Sequence, residues 1–160
     1  MVKRVFVSLF LLTSIANAQS KYDSSSPGYR GYSSFGFNAS LVSGVGLSYR
    51  NHLQGPSLIQ FTAGVLSGGG STFTSFGFAY QYQLSKKDNF RYYIATGAGL
   101  YTSGSSRTVI GFGIGLEVPG IGTTIFESVT AGGELYYPAF YLGTNPSVGV
   151  GGSIYIYYNY

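Results

Sequence analysis

The sequence contains no cysteine and no tryptophan, and its single histidine is His52. The absence of cysteine excludes a disulfide framework and any thiolate chemistry. Charged residues make up only 9% of the chain, whereas a soluble domain usually has about a quarter. This composition is poorly suited to a surface that faces water. The hydrophobic share of 44% also argues against intrinsic disorder, which requires low hydrophobicity and high charge.

Glycine and tyrosine are abundant instead, with 25 and 16 copies. The length of 160 residues suits one domain. The net charge of +4 is small, and the basic residues form no stripe, so we expect no nucleic-acid partner. Gly111, Gly113 and Gly115 alternate inside a strand-like run with no helix after it, which excludes a phosphate-binding loop. The sequence shows no metal, nucleophile or cofactor motif, and we expect no cofactor.

The N-terminus has the three parts of a secretory signal peptide. Residues 3–4 are basic, residues 5–15 are uncharged and apolar, and residues 16–18 are Ala-Asn-Ala, which suits cleavage. A membrane anchor would need about 20 apolar residues, so this stretch is too short to span a bilayer. We predict a cleaved signal peptide at residues 1–18 and a serine-rich linker at residues 19–28.

Beyond the linker, apolar residues alternate with small or polar ones, which is the period of a β-strand. In the clearest run, at the end of the chain, Ile154, Ile156 and Tyr158 share one face, and Ser153, Tyr155 and Tyr157 share the other. The alternating runs lie near residues 40–50, 57–67, 72–84, 90–102, 107–118, 125–142 and 147–160. Short turns separate them at 51–56, 67–71, 85–89, 103–106, 119–122 and 143–146. This arrangement is typical of an antiparallel meander.

The polar faces of these runs carry glycine, serine, threonine, glutamine and tyrosine, with Arg50, Arg91, Glu117 and Glu134 as the charged residues. A soluble barrel would show many more charges there. Small polar residues are typical of the narrow lumen of a transmembrane β-barrel, whose apolar face contacts lipid. Tilted strands of about 9–11 residues cross a bilayer, and the runs are about that long. The sequence therefore predicts an all-β, antiparallel up-and-down transmembrane barrel at residues 29–160.

The number of strands follows from barrel closure. Bacterial single-chain barrels have an even number of strands, so an eighth strand must join the seven runs. We place it from Gly28 to about Phe37, with Tyr32, Phe35 and Phe37 as its apolar residues.

Aromatic residues on the lipid side lie at strand ends beside every second turn, as an interfacial girdle requires. They are Tyr49, Tyr82, Phe90, Tyr92, Tyr158 and Tyr160.

With these features the chain resembles the small eight-stranded outer-membrane barrels of Gram-negative bacteria, such as the membrane domain of OmpA and OmpW. The terminal strand, Ser153 to Tyr160, is the most specific part of the likeness. In that family an aromatic last residue after alternating apolar residues is the signal read by the barrel-insertion machinery. The resemblance gives that role to Tyr158 and Tyr160, although phenylalanine is the commoner last residue.

The same resemblance implies a location in the bacterial outer membrane, with outer-membrane lipid around a barrel that we expect to be a monomer. Both termini would be periplasmic, and so would the linker. The turns at 51–56, 85–89 and 119–122 would lie on that side.

Two charged residues are expected to meet inside the barrel. Arg91 and Glu117 face inward and lie opposite each other across a hairpin centred on Gly104. We predict a lumen ion pair between them, because an unpaired charge in that space would be costly. Glu134 has the same orientation on the next strand, and we expect it to join the pair through Tyr136 or water.

Catalysis is not expected. The enzymes that the family includes, lipid A acyltransferases, deacylases and larger surface proteases, need a histidine with Ser, Asp or Glu near the outer face. His52 falls instead in a predicted periplasmic turn without an acidic neighbour in the sequence.

Three functions remain open. The first is a structural or interaction barrel, since an eight-stranded interior can be filled by its own side chains. The second is a narrow channel or a carrier of small hydrophobic solutes, if the glycine-rich lumen faces leave a gap. Those faces are Gly44/Gly46, Gly97/Gly99 and Gly111/Gly113/Gly115. The third is a soluble secreted β-protein.

Overall fold

The structure, a computed structural model, describes residues 32–53, 55–68, 71–87, 90–120 and 128–160. The predicted signal peptide and linker lie outside these residues. Eight strands follow in chain order: β1 (Tyr32–Ser40), β2 (Val45–His52), β3 (Ser57–Gly68), β4 (Ser71–Lys87), β5 (Phe90–Ser103), β6 (Ser105–Pro119), β7 (Val129–Leu142) and β8 (Ser147–Asn159).

Every strand pairs antiparallel with its neighbours in the sequence, and β8 returns to pair with β1. The sheet is therefore a closed barrel, and the predicted all-β up-and-down barrel of eight strands is confirmed. We call the end where β1 begins and β8 ends the terminal end. None of the described residues belongs to a helix long and apolar enough to cross a membrane.

The alternation in the sequence separates the two faces of the barrel wall, because successive side chains of a strand point to opposite sides. In β8, Ile154 is 71% exposed, whereas Tyr157 is 1% exposed. The described core lies in the lumen, and four of its eight buried members are tyrosines, Tyr93, Tyr136 and Tyr155 among them. Large apolar side chains cover the outside instead.

The first two strands differ from the prediction. The run at 40–50 was expected to be one strand, but β1 extends to Ser40 and β2 begins at Val45, with a turn at 41–44 between them. The Ser40 hydroxyl Oγ accepts hydrogen bonds from the backbone N–H groups of residues 42 and 43, at 3.0 and 2.9 Å. Gly44 has a φ of +93°, which favours glycine, and this reverses the chain.

Tyr32 and His52 also differ from their predicted surroundings. Tyr32 has the same orientation as the buried Ser34, so it is not one of the lipid-side residues of β1. Its ring stacks on the His52 imidazole with ring centroids 3.8 Å apart. His52 is the last residue of β2 rather than part of a turn, because Tyr32 pairs with it across the sheet.

A bulge explains why the run at 125–142 alternates less regularly than the others. The pairing of β7 with β8 shifts between Tyr136 and Ala139, and the Tyr137–Pro138 peptide bond is cis. Tyr136 and Ala139 are both buried, so the inward face changes from even to odd positions across the bulge. The predicted start of this run, at residue 125, lies outside the described residues.

Candidate functional site

Four charged side chains meet in the lumen, and we call them the lumen charge cluster: Arg50 on β2, Arg91 on β5, Glu117 on β6 and Glu134 on β7. Each of them is buried. Two positive and two negative side chains balance one another. Buried charges are tolerated when they are paired and hydrogen-bonded, and each member of the cluster has at least one hydrogen-bond partner, while Arg50 Nη2 and Arg91 Nε have none.

Arg91 and Glu117 occupy directly opposite positions of the β5–β6 hairpin. Arg91 Nη2 donates a hydrogen bond to Glu117 Oε2 at 3.0 Å, and Arg91 Nε lies 3.0 Å from Oε1. Arg91 Nη2 also donates to Gln81 Oε1 at 2.8 Å. The structure thus brings together the two residues that were predicted to lie opposite each other across the hairpin centred on Gly104.

Arg50 is the member of the cluster that sequence reasoning missed. Its Nη1 donates to Glu117 Oε2 at 2.7 Å, so Glu117 neutralises two arginines. Its guanidinium carbon lies 3.8 and 3.9 Å from the ring centroids of Tyr155 and Tyr157, where the ring faces attract the cation. Strands β2 and β6 lie on opposite sides of the barrel, so this contact crosses the lumen. The inward orientation of Arg50 was the available signal, but it does not identify a partner.

Glu134 is linked to the ion pair through neutral groups. It accepts hydrogen bonds from Gln81 Nε2 at 2.6 Å, from the Tyr136 hydroxyl at 2.6 Å and from the Tyr93 hydroxyl at 3.2 Å. The Tyr93 and Tyr155 hydroxyl oxygens lie 2.6 Å apart, and Tyr155 donates to Glu117 at 3.2 Å. Tyr136, the expected bridge, binds Glu134 itself, and the link to Glu117 uses Tyr93 and Tyr155.

The turn between β1 and β2, residues 41–44, folds into the lumen beyond the charge cluster, and we call it the plug segment. Val42 and Ser43 in it have no exposed surface. The Tyr101 hydroxyl donates to the Ser40 carbonyl at 2.8 Å and accepts from the Gly44 N–H at 3.0 Å. These bonds hold both ends of the plug segment against the barrel wall.

The plug segment accounts for several lumen glycines. A Cβ atom at Gly111 would lie 3.1 Å from Val42 Cγ1, and one at Gly151 would lie 2.6 Å from Val42 Cγ2. A Cβ atom at Gly99 would lie 2.5 Å from the Val42 carbonyl oxygen, and one at Gly115 would overlap the Tyr93 ring. At these positions glycine makes room for other parts of the chain, which occupy the space beside it.

Gly151→Val is expected to lower the free energy of unfolding by about 1–3 kcal/mol, because the new side chain overpacks against Val42. Gly152→Val is the matched control, since a Cβ atom at Gly152 meets nothing within 4 Å. Urea unfolding midpoints of both variants in lipid vesicles measure the difference. Equal midpoints would mean that Val42 does not fill the lumen.

The residues of the predicted aromatic girdle lie at the terminal end of the barrel. Tyr49, Phe90, Tyr92, Tyr158 and Tyr160 are exposed on the outer face, and Tyr82 is half-buried. Tyr158 and Tyr160, the residues of the predicted insertion signal, both point outward. Contact of these rings with a membrane interface, and reading of the last strand by insertion machinery, stay predictions.

Among the described residues, no group of three His, Asp or Glu side chains could hold a metal ion.

A scan against protein-family models and a search of curated proteins gave no match. The chain is similar to a solved structure, the N-terminal β-barrel domain of OprF from Pseudomonas aeruginosa. The two are 14% identical with a TM-score of 0.50, and the match covers 82% of this chain and 100% of that one. The expected resemblance to the small eight-stranded barrels is confirmed at the level of the fold.

Proposed function

We propose that this chain is an integral β-barrel protein of the bacterial outer membrane with a structural or interaction role and no catalysis. The observation that carries the proposal is the inverted distribution of side chains. Ile114 is 62% exposed on the outside, whereas Glu117, on the same strand, is 2% exposed inside. Apolar patches larger than a few hundred Å² are rare on soluble monomers. A bilayer is the environment in which such an outer face is favourable.

Closure of the sheet supports the same proposal. In hydrocarbon, each backbone N–H and C=O group must find its partner within the protein, and an open sheet edge would leave a row of them unpaired. The β1–β8 pairing removes both edges. β5 and β8 are 14 and 13 residues long, and about 9–11 tilted residues are enough to cross a bilayer.

An outer-membrane location further agrees with the predicted signal peptide and with the likeness in fold to the OprF barrel domain. We propose outer-membrane lipid as the main partner and a monomeric barrel. Insertion would use the last strand, where Tyr158 and Tyr160 face outward.

The arrangement of the lumen favours a structural role over a channel. The lumen charge cluster and the plug segment occupy two successive levels of the interior, and hydrogen bonds such as Tyr157 to Ser48 at 2.7 Å join strands across it. The space beside Gly99 and Gly111 is taken up by Val42, and the space beside Gly115 is taken up by Tyr93. A carrier or channel would need an open polar path through both levels.

Cell fractionation and a gel of boiled and unboiled samples test the proposal. We expect the chain in the membrane fraction after carbonate extraction, and we expect the unboiled sample to migrate differently from the boiled one. Recovery in the detergent-free supernatant would establish a soluble β-protein instead. In planar bilayers we expect no conductance at high protein load, and stable single-channel steps would establish a channel.

A further inference from the structure

The barrel wall has a gap at the far end, by which we mean the end opposite the terminal end. The pairing of β1 with β8 ends there at Ser40 and Ser153, and the pairing of β2 with β3 ends at Leu47 and Ala63. Beyond these pairs β3 and β8 continue, and the described residues place no strand between them. We call this gap the side notch. It is as wide as three strand spacings, about 14 Å, because β1 and β2 are both missing from it.

A tyrosine hydroxyl takes the place of the missing strand at the β8 edge of the side notch. The Leu41 N–H donates to the Gly152 carbonyl at 3.0 Å, so Val150, two residues further along, directs its backbone groups to the same side. The Tyr141 hydroxyl donates to the Val150 carbonyl at 2.7 Å. Its ring lies along the inner face of β8, because a Cβ atom at Gly149 would be 3.4 Å from it. This carbonyl is therefore bonded without a neighbouring strand, as hydrocarbon surroundings require.

Exposed apolar side chains border the side notch on the outer face of the barrel. They are Val65 on β3 and Val148 and Val150 on β8. In the proposed membrane location such side chains contact the hydrocarbon of the bilayer. The side notch therefore opens the far end of the lumen sideways to lipid.

The inner face beside the side notch is apolar, whereas the lumen around the charge cluster is polar. Leu66 pairs with Phe73, and both point inward because Phe73 shares its face with the buried Ser75. The ring centroids of Phe73 and Tyr101 are 6.1 Å apart, and Tyr101 pairs with Arg107. Leu66, Phe73, Tyr101 and Arg107 thus form a continuous line from the edge of the side notch, and we call it the inner track.

The inner track is accessible and ends at a cation. Leu66 is 59% exposed although it points inward, and Phe73 and Tyr101 are half-buried. Arg107 is exposed, with its guanidinium carbon 5.8 Å from the ring centroid of Tyr141. Among the described residues it is the charged one at the far end. An apolar line that crosses from β3 to β6, about 14 Å, and ends at one cation complements one apolar chain with one anionic group.

We propose that the inner track binds a long-chain fatty acid, with its carboxylate at Arg107 and its chain leaving the barrel through the side notch. The inference rests on the proposed membrane location, in which the leaflet at the far end supplies the ligand. One apolar line and one cation match a single chain with one carboxylate better than a phospholipid with two chains. The plug segment, held by the Tyr101 hydroxyl, closes the lumen beneath the inner track, so the ligand is bound at this end and does not pass through.

Neighbouring residues on opposite faces of β3 provide a matched pair of variants. Leu66→Asn places a polar group in the inner track, and Val65→Asn places the same group on the outer face. Arg107→Gln removes the cation, and Arg107→Lys retains it. All three positions are exposed, so these substitutions leave the packed interior unchanged. The heat-dependent gel shift checks that each variant is folded.

The probe is a long-chain fatty acid that carries a photoreactive diazirine in its chain. Each protein is refolded in vesicles of phosphatidylethanolamine and phosphatidylglycerol, illuminated with the probe and digested, and mass spectrometry locates the labelled residues. We expect labelling of Leu66 and Phe73 that unlabelled dodecanoate displaces. Labelling of outer-face residues such as Phe76, which any lipid contacts, should not be displaced.

The affinity is measured at Phe73, as the dodecanoate concentration that displaces half of the label. Leu66→Asn should weaken it at least about tenfold, the effect of losing two methylene groups from contact, and Val65→Asn should leave it unchanged. Arg107→Gln should weaken it about fivefold, the upper range for an exposed ion pair, and Arg107→Lys should restore most of it. The uncharged methyl ester of the probe should label the native chain and Arg107→Gln equally.

Three results would overturn the inference. The first is labelling confined to the outer face, or labelling of Phe73 that dodecanoate does not displace. The second is equal affinity for Leu66→Asn and Val65→Asn. The third is a photoreactive phosphatidylglycerol that labels Phe73 as strongly as the fatty acid does. In each case the chain would still fractionate with membranes and the proposed function would stand, whereas recovery of the native chain in the supernatant would contradict the proposed function itself.

Discussion

Glu117→Leu is expected to lower the free energy of unfolding by about 3–5 kcal/mol, the usual result of removing one partner from a buried ion pair. Glu117 lies 2.7 Å from a nitrogen of Arg50 and 3.0 Å from a nitrogen of Arg91. Without its carboxylate, two guanidinium groups would remain buried without a counter-charge in direct contact. The urea midpoint in vesicles and the temperature at which gel mobility changes measure the loss.

Glu134→Gln provides the control for this prediction. Its hydrogen-bond donors, Gln81, Tyr93 and Tyr136, are neutral. We therefore expect a smaller loss, about 1–3 kcal/mol. A variant with leucine at Glu117, Arg50 and Arg91 and glutamine at Glu134 leaves no member of the cluster charged and should recover much of the stability, because apolar residues often replace a buried ion pair without loss. An unchanged midpoint for Glu117→Leu would show that the ion pairs do not stabilise the barrel.

Ile154→Lys is expected to lower the free energy of unfolding by about 2–4 kcal/mol in lipid vesicles, the cost of a lysine near the middle of a bilayer. Ile154 lies midway along β8 and is 71% exposed, so a lysine side chain at this position would not clash with the rest of the protein. On a barrel that faces water the same substitution would have almost no effect. The difference in the free energy of unfolding between Ile154→Lys and the native chain therefore shows whether lipid or water surrounds the barrel.

A lysine at the barrel end completes the comparison. Ser105 is exposed at the first position of β6, beside the turn at Gly104. Ser105→Lys should leave the urea midpoint nearly unchanged, because the effect falls to about 0–1 kcal/mol near the membrane interface. If Ile154→Lys and Ser105→Lys unfold at the same urea concentration in vesicles, then the outer face is not in contact with lipid.

Much of the wall of the barrel could be predicted from the sequence, because a period of two fixes which face each residue takes. The Arg91–Glu117 contact could be predicted as well, since the turn at Gly104 sets the register of the whole hairpin. The contact between Arg50 and Glu117 could not, because it joins strands on opposite sides of the lumen. Period and register say nothing about which side chains reach across that space.

The plug segment was missed for a different physical reason. Leu41 and Val42 are apolar and follow a strand, so they fit the pattern of a continuing strand equally well. Only the neighbouring glycines, Gly44 and Gly46, indicated a break. The bulge in β7 had a clearer signal, since a proline inside a strand, here Pro138, removes a ladder donor and favours an irregularity.

The seam between the first and last strands has a consequence for how the barrel comes apart. Ser34 Oγ donates to Asn159 Oδ1 at 2.7 Å, and the Tyr160 N–H donates to the Ser33 carbonyl at 3.0 Å. Removing any one strand from the closed barrel leaves two neighbouring strands with unpaired backbone groups. No strand can therefore separate from the barrel at a low cost in free energy. We therefore expect all-or-none melting, with slow amide exchange that is uniform around the circumference rather than graded from one border.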